Sequence, residues 1–519
     1  MIFVKKQTKG IIFTILFGGS LLFWATAASM PNLMSEDEPE LTITNTPADN
    51  FPDEQRPQFC ETGDAKSNRY VQEYKIPTAC TQPLAITTDP EGNVWFAQTN
   101  TGNIAKFIPD TESFVEYENP SWPTGGRSMM WGIDYAPDGS LWYTDETYDR
   151  IWKFVIDEEQ YISTTYPTSE DSLPQKIKVQ GSQIVVNDLT GAKITLLDPA
   201  KTGDDIVYEN IPSPIEGSLT GDFAIDSQNN IWYTNWVFQA DGVLVKFDQD
   251  NEDPSINATS IYKLPLDLTT PNGLVIGPDE KIWIVDTASS FFFRFDPESA
   301  EFTKYVTSDP PMSTYGNSSG LIKTPISRPY WVEVDDSGKI VFNEQTANSI
   351  GFFDPIEESL VEYLIPSKNP NWADCTAQDD CGLAQIFGFA INDDKVWFTQ
   401  WVENNIGVID RSIPLPVSID TDVEEIIVAK GESTEFEIMI YPETDETHDV
   451  SFVTSDTSPF SDLLIKSDAK DLQIDSQAIP VKVSITAAQS ALADSHKVLL
   501  GAHADDVTVS KYITVHISE

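Results

Sequence analysis

The chain predicts an all-β fold of seven like units closed into a ring, with a smaller all-β module after it, and three observations carry that expectation. First, one short strand recurs: Val94-Trp95-Phe96, Leu141-Trp142-Tyr143, Ile231-Trp232-Tyr233, Ile282-Trp283-Ile284 and Val396-Trp397-Phe398, with Val in the Trp place in Ile184-Val185-Val186 and Ile340-Val341-Phe342. Second, successive copies stand 43 to 58 residues apart, the length of one four-stranded repeat unit. Third, the Trp strands follow apolar strands across tight turns such as Asp89-Pro90-Glu91-Gly92, Pro137-Asp138-Gly139 and Asp335-Asp336-Ser337-Gly338, whose residues suit β-hairpins. Seven such units make a seven-bladed β-propeller.

In chain order, Lys5, Lys6 and Lys9 precede an uncharged run from Gly10 to Ala28. Residues 1–28 therefore read as an export signal or anchor helix. The run is nearly long enough to span a bilayer, while Ala25-Thr26-Ala27 suits signal cleavage, and both readings stay open. In either case everything after Ala28 is placed outside the cytoplasm. Residues 29–66, rich in Pro, Asp, Glu and Asn, read as a flexible acidic stalk.

The repeats occupy 67–412. The third unit is the weakest, with no Trp and a first strand shortened to about Ile177 to Val179. The seventh lacks a fourth strand because the chain leaves it at Arg411-Ser412-Ile413-Pro414. Arg69 to Pro77 looks like the other fourth strands, so it is expected to complete the last blade and remove the open edge. Residues 413–519 change pattern. Candidate strands are Glu435 to Ile440, Val450 to Thr454, Val481 to Ile485, Lys497 to Gly501 and Val507 to Ile517, with Val507, Val509, Ile513, Val515 and Ile517 on one face. A small Ig-like β-sandwich fits this segment.

Eighty-two acidic against 32 basic residues give a net charge of -50, which repels nucleic acid and anionic membrane surfaces. Membrane contact is therefore expected through the N-terminal segment alone, and no nucleotide or redox cofactor is indicated. Four cysteines suit an oxidising compartment; a local Cys375–Cys381 bridge within one polar loop is the first choice, with Cys60–Cys80 as the second bond, and the sequence leaves the connectivity open. Asn257 and Asn317 stand in glycosylation sequons.

Strand geometry places a candidate site. The first strand of a unit and its Trp strand are antiparallel, so the start of one and the end of the other share a rim. Residues three past the Trp position are Gln98, Asp145, Asp188, Asn235, Asp286, Glu344 and Gln400, all polar. Asp145, Asp188, Asp286 and Glu344 could hold Ca²⁺ or Mg²⁺, since hard cations take carboxylate oxygens. Trp131, Asn235, Trp236, Asn272, Tyr330, Gln400 and Trp401 are the candidate ligand-binding residues around the same mouth, for a small ligand, a glycan or a surface protein. The alternative is that these polar groups cap strand ends. The Trp-position residues themselves are expected to pack between blades.

Asn404-Asn405-Ile406-Gly407-Val408-Ile409-Asp410 and Asn348-Ser349-Ile350-Gly351-Phe352-Phe353-Asp354, each following its Trp-position strand, resemble the repeat of the virginiamycin B (streptogramin B) lyases. That resemblance covers about 67 to 412. It implies ring opening by elimination, with a histidine base from a first strand, a glutamate from the following Trp strand and Mg²⁺. The matching positions here are Tyr330 and Glu344, fourteen residues apart. Tyrosine is a poor base near neutral pH, and all four histidines (His448, His496, His503 and His516) lie in the C-terminal module. More distantly, Pro271-Asn272-Gly273-Leu274 is similar to the segment in which SMP-30/gluconolactonase-like propellers present an Asn metal ligand. The sequence reading is thus an exported propeller that binds a ligand or partner at its central face, with a Mg²⁺- or Ca²⁺-dependent lyase or lactonase as the alternative.

Overall fold

The computed structural model describes residues 60–519 except 166–171, 182, 202–206, 238–240, 251–257, 312–313, 315–325, 374, 376–380 and 460–461. The signal or anchor segment, the stalk up to residue 59, Asn257 and Asn317 lie outside the described residues. Among those described, no helix is long and apolar enough to cross a membrane.

Alternating apolar runs separated by turn residues fold into successive antiparallel sheets of four strands, each running from an inner strand to an outer one. The inner strands of blades 1 to 7 are Pro83–Thr88, Ile133–Tyr135, Pro174–Gln180, Leu219–Ile225, Pro271–Ile276, Pro329–Val334 and Ile386–Asn392. The second strands, which carry the Trp position, are Val94–Gln98, Ser140–Asp145, Gln183–Asp188, Asn230–Trp236, Ile282–Asp286, Ile340–Glu344 and Lys395–Gln400. Blade 7 is completed from the other end of the chain: Val71–Lys75 pairs with Asn405–Asp410, Val71 opposite Ile409 and Lys75 opposite Asn405. The closing strand is thus where the sequence placed it.

Two expectations need correction. Blade 3 does not have the short inner strand: Pro174–Gln180 has seven residues, whereas blade 2 has three, Ile133–Tyr135. Gln175, Lys176 and Lys178 mask the strand pattern in blade 3 because polar side chains replace apolar ones on its inner strand. The stalk also ends earlier than residue 66. Glu61 N donates to Val402 O at 2.8 Å and Lys66 N to Glu73 Oε2 at 2.8 Å, so residues 60–66 lie against blade 7 and the closing strand. The Cys60–Cys80 and Cys375–Cys381 disulfides are both formed.

Each Trp-position residue packs toward the next blade. Trp95 joins Trp152 and Phe154, Trp142 joins Ile177 and Ile184, Trp232 joins Ile284 and Phe295, Trp283 joins Phe353, and Trp397 joins Phe107. Val185 and Val341 do the same with Phe223 and Phe398. Burying one aromatic side chain of this size is worth roughly 2–3 kcal/mol. Two residues further along, a polar side chain stitches several blades to the next inner strand. Thr144 Oγ1 donates to Gln175 O at 2.6 Å, Thr234 Oγ1 to Pro271 O at 2.7 Å, and Thr399 Oγ1 to Leu84 O at 2.7 Å. Asn343 Nδ2 reaches Ile386 O at 2.6 Å in the same way. The close approach leaves no room for a Cβ at Gly132, Gly273 or Gly388, where it would fall 2.3–2.4 Å from a neighbouring carbonyl oxygen.

The C-terminal module is a two-sheet sandwich. One sheet joins Val417–Asp420, Ser433–Pro442, Ile479–Ala487 and Leu463–Ser467. The other contains Val507–Ser518, Ser495–Ala504, His448–Asp456 and Asp471–Ile474, with Glu425–Ala429 parallel to the last strand. This second sheet is continuous with the propeller. The outer strand of blade 6, Ser359–Leu364, pairs antiparallel with the start of Val507–Ser518, Ser359 opposite Lys511. Tyr512 enters the aromatic group of Tyr305 and Phe353, 5.4 and 5.7 Å between ring centres, and its hydroxyl donates to Val306 O at 2.6 Å. Ile513, Val515 and Ile517 lie in the sandwich core. The last strand thus serves both domains.

Candidate functional site: the propeller mouth

The ends of the second strands are buried. Gln98, Asp145, Asp188, Asn235, Asp286, Glu344 and Gln400 are each 0% exposed. They do not open into a shared polar ring, because most of their bonds hold the loop before the blade's own inner strand or the start of its third strand. Asp145 accepts from Ser128 Oγ at 2.5 Å and Trp152 Nε1 at 3.0 Å. Asp188 accepts from Leu173 N at 2.7 Å, Ser172 Oγ at 2.9 Å and Gly191 N at 2.8 Å. Asp286 accepts from Thr270 N at 2.7 Å and Ser289 Oγ at 2.7 Å. Asn235 Nδ2 donates to Thr220 Oγ1 at 2.8 Å, and Gln400 Nε2 donates to Glu73 Oε1 at 2.5 Å. At these positions the strand-capping alternative describes the geometry.

Glu344 behaves differently. It accepts from Ser349 Oγ at 3.3 Å, and its Oε2 is buried without a hydrogen-bond partner. Beside it lies Glu362 of the outer strand, which accepts from Ser308 N at 2.9 Å and Ser308 Oγ at 2.5 Å. Burial pushes the Glu362 carboxyl up to about 7, and burial together with Glu362 pushes Glu344 well above the carboxylate range. Two carboxyls taken out of water side by side cannot both ionise cheaply, so this pair holds a proton near neutrality.

The inner-strand residues do converge. In blades 1 and 3 to 7, strand pairing shifts register just after the strand begins, as between Pro83 and Ile86, Pro174 and Ile177, and Pro329 and Val332. Such a bulge re-aims side chains. Here Tyr330 and Phe387 from bulged inner strands, Trp131 just ahead of the inner strand of blade 2, and Trp236 and Trp401 from the ends of second strands meet Leu84 and Leu219 in one buried cluster. Trp131 lies 5.9 Å from Tyr330 and 5.6 Å from Phe387 between ring centres, and Phe387 lies 5.7 Å from Trp401. Trp131 Nε1 donates to Glu146 Oε2 at 2.6 Å. Burial pushes the Tyr330 hydroxyl well above its ordinary range, with the nearby Asn272 side chain acting against that shift. Trp236 Nε1 and Gln345 Nε2 are buried with no partner.

Of the sequence-predicted ligand-binding residues, the structure brings together Trp131, Trp236, Tyr330 and Trp401, with Asn272 nearby. Asn235 and Gln400 are turned to other work. The four carboxylates proposed for a metal do not meet. Among the described residues, the one grouping of three potential ligands within 4.8 Å is Cys60, Glu61 and Cys80, and its sulfurs are joined as a disulfide. A positive charge is already in place at the mouth. Arg328 is 5% exposed and its Nε donates to Thr287 O at 3.1 Å; burial lowers its guanidinium to about 10, against the attraction of Asp286 and Tyr330. The residues present therefore do not fit a shared Mg²⁺ or Ca²⁺.

Arg328 and Glu362 were not legible as site residues, since neither stands at the repeat position that the sequence pattern singled out.

The fold and this mouth define a seven-bladed propeller with a closed aromatic centre. The virginiamycin B lyase family model matches residues 70–384, more than half of the chain, and the protein belongs to that family. A streptogramin B lyase structure is 21% identical, with a TM-score of 0.51 over 65% of this chain and 96% of that one. Virginiamycin B lyase from Staphylococcus aureus is 20% identical, with a TM-score of 0.51 over 66% and 98%. A calcium-binding regucalcin from Agrobacterium tumefaciens is 14% identical, with a TM-score of 0.36 over 54% and 91%. At these identities the likeness is one of fold. No curated protein matches the chain.

Proposed function

We propose that this protein is an exported, ligand-binding member of the family that does not carry out the elimination. The observation behind the proposal is Tyr330. At the place of the expected base stands a fully buried phenol, locked in an aromatic cluster and harder to ionise than a free tyrosine, so it cannot collect a proton at neutral pH. Glu344, its expected partner, faces Glu362 and keeps a proton. The binding surface is the mouth. Trp131, Trp236, Tyr330 and Trp401 are buried and form the floor above which a small ligand, a glycan or a surface protein would seat. The unpaired Trp236 Nε1 and Gln345 Nε2 would be reached only by a ligand that opens this cluster. The two disulfides support an extracytoplasmic site of action. The sandwich, read as an Ig-like module, would present the propeller outside the cell.

Purified protein, assayed against streptogramin B and a lactone panel with Mg²⁺, Ca²⁺ and Mn²⁺, should show no turnover. Tryptophan fluorescence should respond to the ligand that co-purifies. Robust turnover abolished by Glu344→Ala would overturn the reading in favour of the lyase or lactonase alternative. A metal-dependent rise in melting temperature, lost when Asp145, Asp286 and Glu344 are replaced together, would restore the cation.

A further inference from the structure

We propose that the end of the axial channel opposite the aromatic mouth is a second binding site, for a small zwitterion of the size of glycine or alanine. The aligned inner strands build the channel in layers. One residue past the mouth layer stand Lys176 of blade 3, Asp222 of blade 4 and Trp331 of blade 6, with glycine at the matching places of blades 2, 5 and 7. Those glycines let neighbouring inner strands approach closely, and Lys176 reaches across the centre from blade 3 to blade 6. Its Nζ lies 2.8 Å from Asp222 Oδ2 and 3.5 Å from Glu333 Oε1, and 5.8 Å from the Trp331 ring centre. One ammonium thereby ties together blades 3, 4 and 6. Asp222 is fully buried, and burial holds its carboxyl up at about 6 even beside Lys176, so its charge is already answered.

Two residues further on the chemistry changes. Asp134, Lys178 and Glu333 stand at one level of the channel, from blades 2, 3 and 6. Lys178 Nζ is 3.6 Å from Asp134 Oδ1, a loose pair, and the side chains of Lys178 and Glu333 are 54% and 44% exposed. Behind them is a cavity of about 80 Å³, floored by Trp131, with Ile133, Ile177 and Phe389 as apolar walls and Lys176 and Trp331 also in its lining. Trp131 is 3% exposed, so the cavity is shut toward the mouth and opens at the charged end.

The entrance therefore presents an accessible ammonium on blade 3 and an accessible carboxylate on blade 6, on opposite sides of the axis. Free α-amino acids carry the complementary pair: a carboxylate for Lys178 and an ammonium for Glu333, with Asp134 beside it. The apolar walls leave room for a hydrogen or methyl side chain. A simple cation would leave Lys178 facing it, and a simple anion would leave Glu333 facing it.

The test uses the full chain, titrated with glycine, alanine and leucine and with methylammonium and acetate as half-ligands, followed by calorimetry and by the fluorescence of Trp131 and Trp331. Glycine or alanine should give a saturable signal, weakened about tenfold or more by Glu333→Gln and by Lys178→Met. Lys178→Met removes only a loose, exposed pair and should melt like the parent, whereas Glu333→Gln also removes the 3.5 Å contact to Lys176, so its affinity is compared at a temperature where its melting curve shows it fully folded. An equal response to methylammonium or acetate alone, equal binding of leucine, unchanged affinity in both variants, or no saturable response at all would each overturn the proposal.

Discussion

At one end of the axial channel Trp131, Tyr330, Phe387 and Trp401 meet ring against ring. At the other, a few residues along the same strands, Asp134, Lys178 and Glu333 face water. Three residues of strand cover about 10 Å, and over that distance the channel passes from a dry seal, through one buried ion pair, to a charged entrance. The strands themselves are alike at both ends. What differs is the side chain placed at each level, and where the bulge after the strand start points it. Closure of the mouth and openness of the far end are therefore independent properties.

That independence can be broken from the dry end first. Trp131→Ala or Trp401→Ala should cost about 3–5 kcal/mol in denaturant unfolding, because a buried indole leaves a cavity that a propeller centre cannot collapse. A loss below ~1 kcal/mol would show that the cluster is not a packed seal. Next comes the middle layer. Lys176→Met strands Asp222 without its partner and should cost about 3 kcal/mol, much of it regained in Lys176→Met/Asp222→Leu. If the double variant is as unstable as the single one, the axial pair is not the source of the loss.

A pH series probes the acid pair beside the sandwich. The folded-state values of Glu344 and Glu362 are raised, so their contribution is complete below the ordinary glutamate range and is lost as pH rises through about 7. The decline should be on the order of 1–3 kcal/mol, and flatter in Glu344→Gln. Unchanged slope in that variant would place the titration elsewhere. The smallest effect belongs to the charged end. Lys178→Met removes a loose, largely exposed pair and should shift stability by no more than ~0.5 kcal/mol, vanishing in high salt. A larger loss would mean that the entrance is a structural clasp.

Much of the fold was legible. The Trp strand, its turn and its spacing are local patterns, and the closing strand betrayed itself by likeness to Leu360-Val361-Glu362-Tyr363. Five candidate strands of the sandwich were found inside longer ones. Val417–Asp420, Glu425–Ala429, Leu463–Ser467 and Asp471–Ile474 were missed because they are short and half exposed. The site was legible in part. Trp131, Trp236, Tyr330 and Trp401 were named and do meet. The carboxylates were assigned to the axis, whereas Asp145, Asp188 and Asp286 cap their own blades.

By itself the sequence determined the number of blades, the order of strands, the strand that closes the ring and the residues packed between blades. These follow from periodicity and from contacts with the next unit along the chain. The tertiary structure decided which polar residues face the axis, that Lys176 reaches blade 6, that Glu344 pairs with Glu362, and that blade 6 runs on into the sandwich. Each of these depends on a bulge that rotates a strand or on a partner brought in by ring closure and sheet pairing, and neither leaves a mark in local spacing.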